Sequence, residues 1–243
     1  MPQHAPLYLI ASQHPRVGKT LLARLLTEYL RLSGRSVVGY DLDPREPTFA
    51  AYFPNLAWTV DIAETAGQVA LFDRLIADNW RTSVIDVGFG LSDRFFSVMA
   101  EIGFEQEAQR RLIEPIVLFV TDTAPATAQS YARLRARLRH TTFVPVHNEA
   151  TSFMFIPQDY PATRAECSLV RIPRLSPIVR GVIDRPGFSF AAYMASQPGG
   201  PTEVHTWIAN IFRQFRELEL RLTLGEFDSP LRDGQSEPAR RAR

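Results

Sequence analysis

The chain has 243 residues, of which 45% are hydrophobic, and its formal net charge is +1. This composition can bury a full core and predicts one large domain, and a mild excess of positive charge in the C-terminal half permits an anionic partner there without requiring one. The single cysteine, Cys167, excludes an intrachain disulfide, residues 1–6 lack the features of a signal peptide, and no apolar stretch is long enough to cross a membrane. We therefore expect a cytoplasmic protein.

The N-terminal part of the chain predicts a strand, a helix and a second strand. Residues 7–11 form a short apolar run of the kind that makes a strand buried on both faces. Leucines recur at helical spacing from Leu21 to Leu32, and Gly34 is placed to end that helix. The second strand is predicted at residues 37–40. A strand, a helix and a strand in this order form a βαβ unit, whose right-handed crossover implies a parallel sheet.

The same alternation continues along the rest of the chain. Further strands are predicted at residues 83–87, 116–121, 142–147 and 168–172, and helices at residues 62–79, 93–103, 124–139 and 203–222. This order predicts a doubly wound α/β domain, with a mostly parallel sheet and helices on both faces. Residues 151–166 predict an irregular loop. Residues 224–243 are rich in Gly, Pro, Ser and charge and predict a disordered tail, so the domain is expected to comprise residues 1–223.

Lys19 is the only lysine among 27 basic residues, and it lies between the first strand and the first helix. A phosphate-binding loop at that position needs a slim ammonium group, which arginine's wide planar fork cannot replace. In such a loop, backbone N–H groups surround the β-phosphate, the lysine neutralises it, and the next hydroxyl, here Thr20, binds Mg²⁺. Only Gly18, Lys19 and Thr20 match the G-x-x-x-x-G-K-[ST] pattern, because Gln13 occupies the first glycine position. The prediction therefore depends on residues further along the chain.

Acidic residues follow two of the predicted strands. Asp41 and Asp43 come at the end of the second strand, where ligands bind in open α/β sheets, and their spacing puts both side chains on one face. Asp86 ends another buried strand, and Gly88 allows backbone N–H groups to approach a terminal phosphate. Any one of these aspartates could instead be a turn residue or a helix cap. Together with Lys19 they predict a nucleotide site.

The order of these motifs resembles the ParA/MinD branch of P-loop ATPases over most of residues 7–222. The resemblance implies binding of Mg²⁺ and ATP, slow hydrolysis to ADP, and a nucleotide-dependent switch that controls self-association or a protein partner. It implies that Lys19 and Asp43 are catalytic, with Asp43 positioning the attacking water, and that Thr20 and Asp86 serve the metal. The nucleotide-binding residues that it implies are His14, Arg16, Val17, Gly18, Lys19, Thr20, Leu21, Asp41, Gly88 and Asn148.

The phosphate loop departs from the family pattern K-G-G-x-G-K-[ST], in which the first lysine reaches the partner's phosphates across a dimer. The matching residues here are His14, Pro15 and Arg16, and Pro15 also removes a backbone N–H from the loop. We therefore expect weak ATP-driven dimerisation. Two alternatives stay open: a regulatory or scaffold protein that binds nucleotide without hydrolysing it, and an ATP-dependent ligase similar to dethiobiotin synthetase, although residues 12–15 do not resemble the loop of those enzymes.

Three further features have alternative readings. Asn148 resembles the strand-end asparagine that contacts the purine in this family. Proteins of this kind that recognise guanine have an aspartate two residues later, where this chain has Ala150, so adenine is favoured. A strand-end asparagine is also a common turn residue. The arginines at residues 133–139 are scattered around a helix, which favours a solvated surface over DNA binding. The apolar stripe of the last helix favours packing on the sheet over membrane binding.

Overall fold

The computed structural model describes residues 5–164, 169–196 and 200–228, with side chains to residue 224. Within these residues, seven strands form one sheet in the order β3-β2-β4-β1-β5-β6-β7, and every recorded pairing is parallel. The strands are β1 Ala5–Ala11, β2 Val37–Asp41, β3 Ala57–Thr59, β4 Thr82–Asp86, β5 Ile113–Val120, β6 Thr142–Asn148 and β7 Val170–Ile172. The predicted doubly wound α/β architecture is confirmed.

Helices cover both faces of the sheet. They are α1 Lys19–Leu32, α2 Thr48–Tyr52, α3 Thr65–Ala77, α4 Ser92–Glu101, α5 Phe104–Arg110, α6 Pro125–Arg137, α7 Pro177–Ile183, α8 Phe190–Ala195 and α9 Glu203–Asp228. Helices α1, α2, α7, α8 and α9 contribute to the core on one face, and α3, α4, α5 and α6 to the core on the other. Strand β1 shows why the sheet is buried on both sides, because Ile10 packs into the first core and Leu9 into the second.

Most of the short elements were not predicted, although the three-residue β7 lies within the strand predicted at residues 168–172. Strand β3 has three residues at the sheet edge, of which Ala57 is buried and Trp58 is exposed. Three residues are too few to show the alternation of apolar and polar residues that predicts a strand. Helices α2, α5, α7 and α8 have between five and seven residues, too few for a helical pattern to stand out from the surrounding sequence. Strand β5 begins three residues before its predicted start, and Pro115 lies where β5 pairs with β1 alone.

The C-terminal helix runs further than expected. Helix α9 continues to Asp228, whereas the sequence predicts an end at Leu222 and a disordered tail from residue 224. Residues 229–243 of that tail lie outside the described residues. The apolar stripe of α9 is buried against the sheet, as predicted, with Ile208, Ile211 and Phe215 at most 1% exposed. No helix in the described ranges is long and apolar enough to cross a membrane.

The remaining predictions for the second half of the chain are partly met. Residues 151–164 are irregular, as predicted, apart from a single 3-10 turn at Pro157–Asp159, and residues 165 and 166 of the predicted loop lie outside the described ranges. The arginines of α6 occupy a solvated helix surface: Arg137 donates to the Ser97 hydroxyl at 2.9 Å and lies 3.8 Å from a Glu101 carboxylate oxygen. Leu134 and Leu138 point into the core.

Candidate functional site

The carboxyl ends of β1, β2 and β4 meet at one edge of the sheet. Asp41 and Asp86 are register partners on β2 and β4, and Ile10 of β1 is in register with Asp86. The loop after β1 crosses the same edge. These segments line a cleft of about 650 Å³ that also contains Lys19, Thr20 and Asp43. The structure therefore brings together the loop and the three aspartates that the sequence singled out.

The loop before α1 has the shape of a ligand cradle. Gly18 has a φ of 98°, and a Cβ added there would fall 2.5 Å from the Nδ2 atom of Asn148, so a side chain would be strained and would displace the Asn148 amide. Helix α1 begins at Lys19, and its first N–H groups are free of intrahelical partners at this end. Arg16 also has a left-handed backbone, with φ 58°, in the position where the resembling family has a glycine. The loop thus keeps a left-handed residue at that position although the glycine is gone.

Lys19 lies along this loop. Its side chain is buried, and Nζ donates to the carbonyl oxygen of His14 at 3.4 Å. Burial lowers the pKa of Lys19 from its ordinary value, while the nearby charges of Asp86 and Asp43 act in the opposite direction. A buried ammonium that bonds only loosely to one carbonyl is well placed to contact a phosphate group.

Thr20 and Asp86 form the second part of the site. The Thr20 hydroxyl donates to Oδ2 of Asp86 at 2.6 Å, whereas Oδ1 of Asp86 is buried without a hydrogen-bond partner in the described structure. Burial raises the pKa of Asp86 to about 7, although the Thr20 bond and the Lys19 charge lower it. A carboxylate and a hydroxyl oxygen are ligands that Mg²⁺ accepts. The described residues contain no group of three His, Cys, Asp or Glu side chains that could hold a metal, so phosphate oxygens and water are natural candidates for further ligands.

Asp41 and Asp43 have different surroundings. Asp41 is 2% exposed, and its two oxygens accept from the backbone N–H groups of Asp43 and Ala50, each at 3.0 Å. It therefore fixes the segment that leads to α2. Asp43 lines the cleft, and its Oδ1 accepts from two backbone N–H groups that follow it, at 3.2 Å. Gly88 lets this segment approach, because a Cβ there would lie 3.0 Å from the Cβ of Asp43.

His14 is tied to its own chain. Its Nδ1 lies 2.5 Å from Oδ2 of Asp122 and 3.2 Å from the Thr127 hydroxyl. The backbone of His14 is held as well, since its carbonyl accepts from the Ser12 hydroxyl at 2.7 Å. Sequence reasoning missed Asp122 and Thr127, and the signal for Asp122 was its place just after β5. The side chain at the position of the family's first lysine is thus engaged within the loop's own surroundings.

Asn148 lies beneath the loop. It is 1% exposed, its Nδ2 donates to the Val17 carbonyl at 2.8 Å, and its Oδ1 accepts from the Ala150 N–H at 3.1 Å. The amide therefore holds the loop between β1 and α1 from the end of β6, and its predicted contact with a base stays a prediction. Val17 and Leu21 contribute their side chains to the core, so each would meet a ligand mainly through its backbone.

The cleft extends beyond the predicted residues. Its far end is lined by Arg24 of α1, Tyr52 of α2, and Arg180 and Asp184 in and after α7. Arg24 is three residues after Leu21 and so falls on the apolar face of α1, where a charged side chain is unusual. That position was the one available signal in the sequence. The other three residues belong to short helices or their ends that sequence patterns did not reveal.

No protein-family model and no curated protein matches the sequence. Among solved structures, the MinD cell division protein of Aquifex aeolicus superposes with a TM-score of 0.54 at 14% identity, covering 98% of this chain and 100% of that chain. The chain has the fold of MinD. A chain of the MinC:MinD cell division protein complex from the same organism matches with a TM-score of 0.53 at 16% identity, covering 98% and 99%. The likeness confirms the ParA/MinD-like, P-loop NTPase fold predicted from the motif order.

Proposed function

We propose that this protein is a cytoplasmic ATPase of the ParA/MinD type, which binds ATP and Mg²⁺ in the cleft and uses its nucleotide state as a switch. The observation that carries the proposal is the grouping of a buried lysine with the Thr20–Asp86 pair, whose remaining carboxylate oxygen has no partner among the described residues. Buried polar groups in proteins are nearly always bonded, so an unpaired carboxylate oxygen beside a lysine points to a bound ligand. A magnesium ion with a phosphate chain is a ligand of that chemistry.

Each residue would have a distinct part in this activity. The N–H groups at the start of α1 and the Lys19 ammonium would bind the β- and γ-phosphates, and Thr20 and Asp86 would hold the metal. When bound, Mg²⁺ supplies charge neutralisation at the phosphate oxygens. Asp43, which lines the cleft, would orient the attacking water. We expect hydrolysis to be slow, with ATP- and ADP-bound states that differ in their affinity for a second copy or for another protein.

A protein partner is part of this proposal. The MinD of Aquifex aeolicus is named in a complex with MinC, and a shared fold makes a comparable use of this chain's surface reasonable to test. The identity of the partner is a separate question from that of the nucleotide. Pull-down experiments in ATP and in ADP would find proteins that bind this chain in one nucleotide state and not in the other.

One observation favours the alternative of a nucleotide-binding protein that does not hydrolyse ATP. The His14 Nδ1 atom contacts Asp122 at 2.5 Å within its own chain, and this contact competes with any contact to the phosphates of a second copy. If activation across a dimer is needed for turnover, this chain would bind nucleotide and stop there. Single-turnover release of phosphate separates the two functions, since the switch ATPase releases phosphate and the regulatory protein does not.

The nucleotide site itself is tested by replacing its lysine. Lys19→Ala should weaken Mg·ATP binding by at least about tenfold, because a charge-assisted bond to the phosphates is lost. Isothermal titration calorimetry measures the affinity, and Arg31→Ala, which removes an exposed arginine from the last turn of α1, is the matched control. If Lys19→Ala folds normally and binds ATP as the parent does, the phosphate-loop assignment is wrong.

A further inference from the structure

The far end of the cleft carries positive charge that the nucleotide does not account for. Arg24 and Arg180 line the cleft together with Tyr52, and neither arginine is part of the phosphate loop. Arg24 is buried in the wall at 2% exposure, whereas the Arg180 side chain is 36% exposed. The Asp184 carboxylate, which also lines this end, reduces the repulsion between the two guanidinium groups, but among the described residues it is bonded to Arg180 alone.

Arg24 is bonded incompletely. Its Nη2 donates to the carbonyl oxygens of Ile183, at 2.9 Å, and Phe188, at 3.3 Å, and its Nε has no acceptor in the described part of the chain. A guanidinium has five N–H donors, so these bonds leave several unused. No described carboxylate lies within ion-pair distance of Arg24. Glu28, one turn further along α1, and Asp184 stabilise the Arg24 charge without forming an ion pair with it, so a bound anion would satisfy the N–H donors that stay unused.

The surrounding contacts hold Arg24 in place for such a ligand. Its guanidinium lies 3.4 Å from the centroid of the Tyr52 ring, which fixes the plane of the group. The Tyr52 hydroxyl donates to the backbone carbonyl of Asp184 at 2.9 Å, which connects α2 to the end of α7. The Asp184 carboxylate accepts from Nε of Arg180 at 2.6 Å, so the available acid at this end is already paired with the other arginine. The end of the cleft is therefore preorganised, and Arg24 forms no direct ion pair with a described carboxylate.

We propose that this end of the cleft, between Arg24, Tyr52 and Arg180, binds a small anionic compound with a carboxylate or phosphate group, in addition to the nucleotide. Guanidinium groups held in a fixed plane match both kinds of anion, because each offers paired oxygens to parallel N–H donors. The ligand is a small molecule that shares the cleft with the nucleotide's phosphates. The site goes beyond the proposed switch function, and its chemistry can be tested separately.

The test uses the full chain saturated with Mg²⁺ and the β,γ-imido analogue of ATP, so that the phosphate loop is filled. Succinate and glycerol 3-phosphate are then titrated by calorimetry, since one offers carboxylates and the other a phosphate group. We expect at least one probe to bind the parent, and Arg180→Gln to weaken that binding by about tenfold or more. Arg24→Lys should weaken it as well. Arg185→Gln is the control, because Arg185 is exposed just after α7 and does not line the cleft.

Each outcome of this experiment is informative. If the parent binds the ATP analogue but neither probe at millimolar concentration, the anion site is refuted and the nucleotide site stands. If Arg180→Gln binds the probe as the parent does, or Arg185→Gln loses as much affinity, the binding is not at this site and the proposal fails. If the ATP analogue does not bind, the proposed function is refuted, and titration of the probes without nucleotide still decides whether the anion site exists. Binding of succinate alone, or of glycerol 3-phosphate alone, supports the site and identifies the class of anion.

Discussion

Replacement of Asn148 by alanine tests whether the end of β6 holds the phosphate loop. In the parent, the Asn148 amide donates to the buried Val17 carbonyl at 2.8 Å. Loss of that donor leaves a buried acceptor unsatisfied, at a cost of about 1–3 kcal/mol, whereas the Ala150 N–H is nearer the surface and can bond to water instead. We therefore expect the free energy of unfolding to fall by roughly 2 kcal/mol. The loop should also lose its fixed shape, because the amide packs against Gly18.

The assay compares two ligands that differ in one part. Calorimetry with Mg·ATP and with inorganic triphosphate, which has no base, separates a residue that shapes the loop from one that reads the base. If Asn148 shapes the loop, Asn148→Ala should weaken both ligands by the same factor, about tenfold. Asn79→Ala removes an asparagine whose amide donates to a surface carbonyl, and it should leave both affinities unchanged. A loss of ATP affinity with unchanged triphosphate affinity would show that Asn148 contacts the base and that the loop does not depend on it.

Two further predictions concern the charges of the site and the loop. Because burial raises the pKa of Asp86 to about 7, the folded state favours the protonated carboxyl, and the free energy of unfolding of the ligand-free protein should fall as pH rises from about 4 to about 7, by up to about 4 kcal/mol. Urea unfolding of the parent and of Asp86→Asn checks this, and equal pH dependence in both proteins would refute it. Replacing His14-Pro15-Arg16 with Lys-Gly-Gly should release the contact with Asp122 and strengthen ATP-dependent association. Sedimentation in ATP, in ADP and without nucleotide measures this, and a tight ATP-dependent dimer of the unmodified chain would contradict the reasoning.

The sequence predicted the architecture because the long elements carry strong patterns. Strand β1 and helix α1 have the apolar run and the leucine spacing of buried elements, and the ends of β2 and β4 carry their aspartates where an α/β sheet presents ligands. The same patterns located Lys19, Thr20 and Asp86 at the cleft. Short segments lack such patterns, so α2 and α7, which complete the cleft, were not foreseen.

Contacts between distant parts of the chain were also beyond the reach of sequence patterns. His14 and its partner Asp122 are 108 residues apart. Arg24 donates to the carbonyl oxygens of Ile183, which is in α7, and of Phe188, in the segment after α7. Nothing in the local sequence specifies which residues such side chains will meet. For the same reason, Asn148 carries a recognisable strand-end pattern, but its partner, the Val17 carbonyl, emerges only when β6 lies beside the loop.

The departure of the phosphate loop from the resembling family has a consistent physical explanation. A left-handed backbone at Arg16 costs about 1–2 kcal/mol where a glycine would cost little. The loop holds this conformation because its neighbours are fixed from several sides: the Ser12 hydroxyl bonds to the His14 carbonyl, the His14 ring contacts Asp122, and Asn148 bonds to the Val17 carbonyl. Bonds of this kind contribute about 1 kcal/mol each, so together they can offset the strain. The His14 Nδ1 atom, which holds the loop, is then no longer available to a second copy. The contact between His14 and Asp122 therefore has two consequences: it keeps the shape of the loop, and it leaves no free cation at residue 14. For this reason we expect nucleotide binding to be preserved, whereas association across a dimer should be weak.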